Sequence, residues 1–251
     1  MTDRDHLLQL CNSLLQPAQF KDYCPNGLQV EGRQQVRHIV SGVTASRAFI
    51  EAALAQGADT LLVHHGLFWR GHDGAVTGWL KQRLALLLAH DINLLAYHLP
   101  LDAHQALGNN AQLGLRMGWE AQGRFGDQDL GWWGTPSADA PDYASLTADL
   151  HTKLARAPVA VVPNPQRALK RVAWCTGGAQ SWFEAAIAAG ADAFVTGEIS
   201  EPQAHLAHET GVAFFACGHH ATERYGAPAL AAHVAAQLGV SHAFIDIDNP
   251  A

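Results

Sequence analysis

One stretch of this chain is written twice, and the repeat constrains the fold more than any other feature. Arg37-His38-Ile39-Val40 leads through Phe49-Ile50-Glu51-Ala52-Ala53 and Gly57-Ala58-Asp59 to Leu61-Leu62-Val63. Arg171-Val172-Ala173-Trp174 leads through Phe183-Glu184-Ala185-Ala186 and Gly190-Ala191-Asp192 to Phe194-Val195. Glu51 and Glu184, Gly57 and Gly190, and Asp59 and Asp192 share one offset, so the copies align without a gap, as a duplicated structural unit does. In each copy a β-rich run is followed by an Ala-rich helix, a glycine placed to cap it and a second apolar run, which is a βαβ unit. Helix and strand recur once more in both, over 80–90 and 94–97 and over 202–209 and 212–217. Right-handed crossovers between parallel strands put helices over the sheet faces. The expected fold is therefore α/β: two related α/β units with mostly parallel sheets, over residues 1–125 and 126–251. The stretch 123–142, rich in Gly, Asp, Pro and Trp, suits the connection, although Leu130-Gly131-Trp132-Trp133 reads as an added strand. Residues 243–247 read as a strand that pairs with either unit, and Asn26-Gly27 reads as a tight turn.

The repeat also carries chemistry at corresponding places. Tyr97-His98-Leu99-Pro100-Leu101-Asp102 and Gly218-His219-His220-Ala221-Thr222-Glu223 each set a carboxylate four residues after a histidine, just past a predicted strand. Leu61-Leu62-Val63-His64-His65-Gly66 ends another apolar run in two histidines. Ligands of open α/β sheets gather beyond the carboxyl ends of the strands, and mixed imidazole and carboxylate donors are those of a divalent-metal site. Adjacent histidines within a strand point opposite ways, so joint use of His64 and His65 calls for a turn at His65-Gly66. His219 and Glu223 have one-turn helical spacing, which puts both on one face if a helix opens there. Two ions about 3.5–4 Å apart share a water, lower its pKa toward neutrality and present hydroxide as a nucleophile, which favours hydrolysis. The bland alternative is that strand-end histidines only satisfy buried hydrogen bonds; the repeat and the carboxylates outweigh it. Glu198 falls where His65 falls in the first copy and is a site candidate, with a solvated loop carboxylate as the equal alternative. Phe68-Trp69-Arg70 offers a ring to stack a base and a cation for an anion, but a packed aromatic beside a surface arginine explains it as well.

Composition removes several function classes. A net charge of −7 leaves no basic surplus to neutralise phosphates, so nucleic acid is a poor default partner. No window reaches the roughly 18 unbroken apolar residues of a membrane span, and residues 1–20 lack a signal-like core; a cytoplasmic location is expected. Cys11, Cys24, Cys175 and Cys217 have no CxxC spacing and read as reduced thiols. Cys217 reads as a packed strand cysteine before a soft metal ligand. No P-loop is present.

His64-His65-Gly66, His98-Leu99-Pro100-Leu101-Asp102, the 218–223 segment, Asn26-Gly27-Leu28-Gln29-Val30 and Thr196-Gly197-Glu198 together resemble the NIF-three-like dinuclear metal-binding family. Many of its members carry the name GTP cyclohydrolase I type 2. The resemblance covers nearly the whole chain and is strongest to the short bacterial YbgI-type members, which lack the domain that longer relatives insert between the halves. It implies that the two units pack around a dinuclear metal cleft, with His64, His65, Asp102, His219 and Glu223 holding two divalent ions (Zn, Mn, Fe or Ni). It also implies a toroidal homohexamer, and hydrolysis of a nucleotide or other small molecule; a noncatalytic metal-handling or partner-binding protein is the alternative. His98 matches His219 in the repeat but lies outside that ligand set, so a second-layer or proton-transfer role is expected of it.

Overall fold

A computed structural model describes residues 1–251. The chain forms two compact units, Met1–Gly108 with Arg224–Asp248 and Asn109–Glu223 with Asn249–Ala251. The first segment runs β1 (Thr2–Asp3), α1 (Arg4–Leu15), β2 (Gly27–Val30), β3 (Gln35–Val36), β4 (His38–Thr44), α2 (Arg47–Ala55), β5 (Thr60–His65), α3 (Gly78–Ala89), β6 (Asn93–Ala96) and α4 (Leu99–Ala103). The second unit follows as α5 (Asn109–Met117), β7 (Glu120–Phe125), β8 (Gly131–Thr135), α6 (Tyr143–Leu154), β9 (Val159–Val161), β10 (Val172–Trp174), α7 (Phe183–Ala188), β11 (Ala193–Thr196), α8 (Glu201–Thr210), β12 (Ala213–Ala216) and α9 (His219–Glu223). The chain then returns to the first unit as α10 (Gly226–Leu238) and β13 (Ser241–Phe244).

The first unit is built on a sheet of order β13-β4-β5-β6-β2, parallel except for β2, and the second on β7-β8-β10-β11-β12-β9, parallel only at β10-β11-β12. The parallel centres β4-β5-β6 and β10-β11-β12 are the two copies of the repeat. Alternation along the strands divides the first core: Val40, Leu61 and Val63 pack with Phe49, Ile50 and Leu87 on one face, and Ile39, Leu62 and Leu95 pack with Leu7, Leu230 and Val234 on the other. Burying each such side chain stabilises by about 1.5–3 kcal/mol. In the second unit Phe183, Phe194 and Phe214 fill one face, with the Phe183 and Phe214 rings edge to face at 4.9 Å.

The added strand at 130–133 exists as β8, which joins β7 to β10. The C-terminal strand pairs parallel to β4, so it belongs with the first unit. The units divide at Gly108 and Asn109, whereas composition puts the connection near Gly126, which here follows β7 inside the second unit. Packing explains the difference: Leu230, Ala231 and Val234 of α10 complete the first unit's core, while Gly114 of α5 abuts the Trp174 ring. Asn26-Gly27 is not a hairpin turn; Gly27, with φ of +107°, opens β2, which runs antiparallel to β6.

The repeated aspartates do the same work in each unit. Asp59 Oδ2 accepts the N–H groups of Arg37 and His38 at 2.7 and 3.2 Å, and Asp192 Oδ2 accepts those of Lys170 and Arg171 at 2.9 and 3.0 Å. Each aspartate at the start of the second strand thus pins the start of the first. Asp59→Ala leaves two backbone donors without their acceptor, and we expect it to cost about 1–3 kcal/mol, read as a lower midpoint in urea unfolding; an unchanged midpoint would refute the clamp.

Candidate metal centre

Within the first unit the donors gather at the C-terminal ends of β5 and β6. Both histidines lie inside β5, without the turn expected at His65-Gly66; the chain bends only at Leu67, and at Gly66 a Cβ would overlap the Gln29 side chain. Their rings still lie 4.6 Å apart, tilted by 40°, because each leans to the strand on its own side. His64 Nδ1 donates to the Tyr97 carbonyl just beyond β6 at 2.9 Å, and His65 Nδ1 lies 3.2 Å from Thr44 Oγ1, its register partner in β4. A carbonyl only accepts, so His64 carries its proton on Nδ1 and offers the Nε2 lone pair. That Nε2 lies 3.5 Å from Asp102 Oδ1. Asp102 sits in α4, whose first turn contains Pro100, where a missing N–H is tolerated.

His98 stands immediately before α4, and the donor atoms of His64, His65 and His98 lie within 4.8 Å of one another. His98 Nδ1 donates to Asp22 Oδ1 at 2.7 Å. Asp22 accepts further from Tyr23 N at 2.6 Å, Leu99 N at 3.0 Å and Asn26 Nδ2 at 2.8 Å, while Asn26 Oδ1 accepts from His98 N at 2.7 Å. Burial alone would push the Asp22 carboxyl up, but hydrogen bonds from His98, Asn26 and Tyr23, with the charge of His98, draw it down to about 2. Cys24 lies beside this pair, but burial and the neighbouring carboxylates push its thiol up to about 12, against its acting as a thiolate ligand. Trp69 stands edge-on to His98 at 5.1 Å, and the Arg70 guanidinium lies 5.6 Å from the Tyr23 ring centre.

Within the second unit the loops after β10, β11 and β12 interlock through glycines. Gly197 N–H donates to Gly177 O at 2.8 Å and Gly218 N–H to Gly197 O at 2.9 Å. The helical spacing expected of His219 and Glu223 is realised as α9, and His219 Nε2 lies 3.0 Å from Glu223 Oε2. A Cβ at Gly177 would overlap Glu223 Oε1 and stand 3.1 Å from His219 Nε2, so glycine there leaves room for both donors. Thr222 Oγ1 accepts Gly177 N–H at 3.0 Å and fixes the loop against α9. Glu198 is placed at His219: its Oε1 accepts from His219 Nδ1 at 2.7 Å, and its Oε2 accepts from Gln180 at 3.1 Å. Cys217 is fully buried and burial pushes its thiol far up, as suits a packing residue. His220 is buried, and its N–H donates to Ala251 O at 3.2 Å.

The donor set suits a divalent cation. His64, His98 and His219 each commit Nδ1 to an oxygen, His65 Nδ1 lies beside one, and carboxylates stand by His64 and His219. The sequence singled out His64, His65, His98, Asp102, Glu198, His219 and Glu223 as candidates. It did not single out Asp22, which has no counterpart in the repeat; its only signal is its position four residues before Asn26.

Burial alone would lower the His219 pKa, but hydrogen bonds and charge from Glu223 and Glu198 raise it to about 9. At pH 7 the metal-free imidazole therefore holds a proton that a metal must displace. Calorimetric titration with Zn²⁺ in buffers of different ionisation enthalpy should show proton release from this group at pH 7. Apparent affinity should rise with pH up to about 9 and then level; proton-neutral binding at pH 7 would contradict this.

A family model described as Duf34/NIF3 (NGG1p interacting factor 3) matches residues 2–250. A relative from Neisseria meningitidis serogroup B, called GTP cyclohydrolase 1 type 2 homolog, is 55% identical over 244 residues, covering 97% of each chain. One of the same name from Escherichia coli K12 is 46% identical over 245 residues, covering 98% of each. Among solved structures, protein ybgI, described as of unknown function, is similar with a TM-score of 0.95 and 45% identity over 100% of both chains. Reduced HcgD from Methanocaldococcus jannaschii shares the fold, with a TM-score of 0.84 and 20% identity over 99% of this chain and 98% of that one.

Proposed function

The chain belongs to the Duf34/NIF3 family, and from that premise we propose that it is a dinuclear-metal hydrolase acting on a nucleotide. His64, His65 and Asp102 of the first unit, with His219 and Glu223 of the second, would hold two divalent ions in this reading, with Glu223 shared between the two. The observation that carries it is the shared preparation of the histidines, whose Nδ1 atoms are turned to oxygens and whose Nε2 atoms are left as donors. The ions supply a hydroxide nucleophile from water at neutral pH. His98, close to the His64 and His65 donors but held by Asp22, takes up the proton that water releases. Glu198 orients His219. The name of the relatives points to GTP, whose purine ring opens when hydroxide adds to the imidazole carbon. All four cysteines are free, and no helix is long and apolar enough to cross a membrane; both fit a protein of the cytoplasm.

Elemental analysis of fully loaded protein tests the centre: two ions per chain are expected, and one or none would end the dinuclear reading. Glu223→Ala should empty both sites; emptying only one makes Glu223 a terminal ligand. A panel of nucleotides and phosphoesters then tests hydrolysis. On any substrate found, His98→Ala should slow turnover by roughly 10²–10⁴-fold with metal retained, whereas lost metal would make His98 a ligand. No turnover across the panel by fully loaded protein would favour metal handling instead.

We also propose a toroidal homohexamer, which rests on the family resemblance. Light scattering should give six times the chain mass of 26.9 kDa; a monomer at micromolar concentration would reject the ring.

A further inference from the structure

The two copies of the repeat hold their corresponding histidines in the same way but with carboxylates from unrelated places. His219 Nδ1 meets Glu198 Oε1 at 2.7 Å, and His98 Nδ1 meets Asp22 Oδ1 at 2.7 Å. Glu198 follows β11, the repeat counterpart of β5, at a position that β5 fills with His65. Asp22 instead lies between α1 and β2, outside the repeated stretch. Duplication therefore does not account for the second clamp, which was built separately around the same ring nitrogen.

The Asp22 carboxylate is itself fixed. Its side chain is 4% exposed, and its two oxygens receive four N–H donors, Tyr23 N and His98 Nδ1 on Oδ1 and Leu99 N and Asn26 Nδ2 on Oδ2, beside the weak Cys24 thiol donor at 4.0 Å. Four donors on one carboxyl group require the ionised, acceptor-only form. His98 Nδ1 must then carry a hydrogen, and the ring meets its other neighbours through Nε2. Its backbone is also held, since His98 N–H donates to Asn26 Oδ1 at 2.7 Å and Asn26 is tied to Asp22. The ring stands 5.0 Å from that of His64 and 5.8 Å from that of His65.

We infer that Asp22 is the positioning residue of His98, its carboxylate holding the ring by Nδ1–H and turning Nε2 toward the His64 and His65 donors. Asp22 thereby does for the first copy of the repeat what Glu198 does for His219 in the second. The use His98 makes of Nε2 rests on the hydrolase reading; the hold on Nδ1 and the orientation do not.

The test reads the ring directly in the metal-free full-length protein. A neutron crystal structure of the wild type should show hydrogen on His98 Nδ1, directed at Asp22; an Nδ1 without hydrogen overturns the inference without any variant. In Asp22→Ala the ring should rotate away from His64 and His65, and in Asp22→Asn, which keeps one acceptor oxygen, it should stay nearer its place. An Asp22→Ala ring that is unmoved overturns the inference, and if that variant does not fold, Asp22→Asn and the wild-type Nδ1 hydrogen decide. On any substrate found, Asp22→Ala should slow turnover by roughly 10–100-fold and add nothing in a His98→Ala background. Additive losses would show that Asp22 acts other than through His98. Metal stoichiometry of the wild type decides the hydrolase reading separately, so the two ideas fail on different measurements.

Discussion

An imidazole presents one nitrogen to a cation in a fixed direction when the other is held by an oxygen, and this requirement organises the donor clusters of each unit. His64 uses the Tyr97 carbonyl, His98 uses Asp22 and His219 uses Glu198, with Thr44 beside His65. For His64 and His65 the oxygen is supplied by a strand the sheet has already placed: Tyr97 follows β6 and Thr44 ends β4, on either side of β5. Parallel pairing therefore does more than bury Leu61, Leu62 and Val63. It brings the ends of three strands level, so that a residue beyond one strand satisfies the ring at the end of its neighbour. A one-residue slip of β5 would exchange core and ring positions together.

The second requirement is room. The carboxylate and imidazole of α9 meet over Gly177, and the loops beyond β10, β11 and β12 close on one another at Gly177, Gly197 and Gly218. A Cβ at Gly197 would come within 2.6 Å of both Gly177 O and His219 Cα. The φ of +70° at Gly177 adds a backbone reason to the steric one. These glycines belong to the site as much as its donors do, since a side chain at either position displaces α9.

What could be read beforehand follows the range of the interactions. The βαβ repeat, the helix under His219 and Glu223, and β8 rest on local periodicity and spacing, and all are legible. Asp59 and Asp192 stand out as matching letters, but their task of pinning a strand start 21 or 22 residues away appears only in three dimensions. Asp22 is a lone carboxylate in a loop, 76 residues from His98, and nothing in its neighbourhood marks it. The return of α10 and β13 to the first sheet is likewise long-range, since an apolar helix shows that it is buried but not where. The alternation argument misjudged His64 and His65 for a different reason. Cβ directions alternate along a strand, but rings at a strand end can lean past it, and hydrogen bonds to either side bring them together.

The α9 pair also shows how a cation site stays ordered without a cation. Glu198 and Glu223 flank His219, and two carboxylates around a neutral ring would repel one another. Those carboxylates raise the His219 pKa to about 9, and the proton they hold there supplies the missing positive charge. Because this folded value exceeds the ordinary 6.5, the proton's contribution to the stability of the metal-free form is fully present below about 6.5. It is lost as pH rises through about 9. His219 is partly exposed, which screens the effect and keeps it modest. A divalent ion held at Nε2 would take the place of that proton, whereas the hold of Glu198 on His219 Nδ1 engages the other ring nitrogen and does not depend on it.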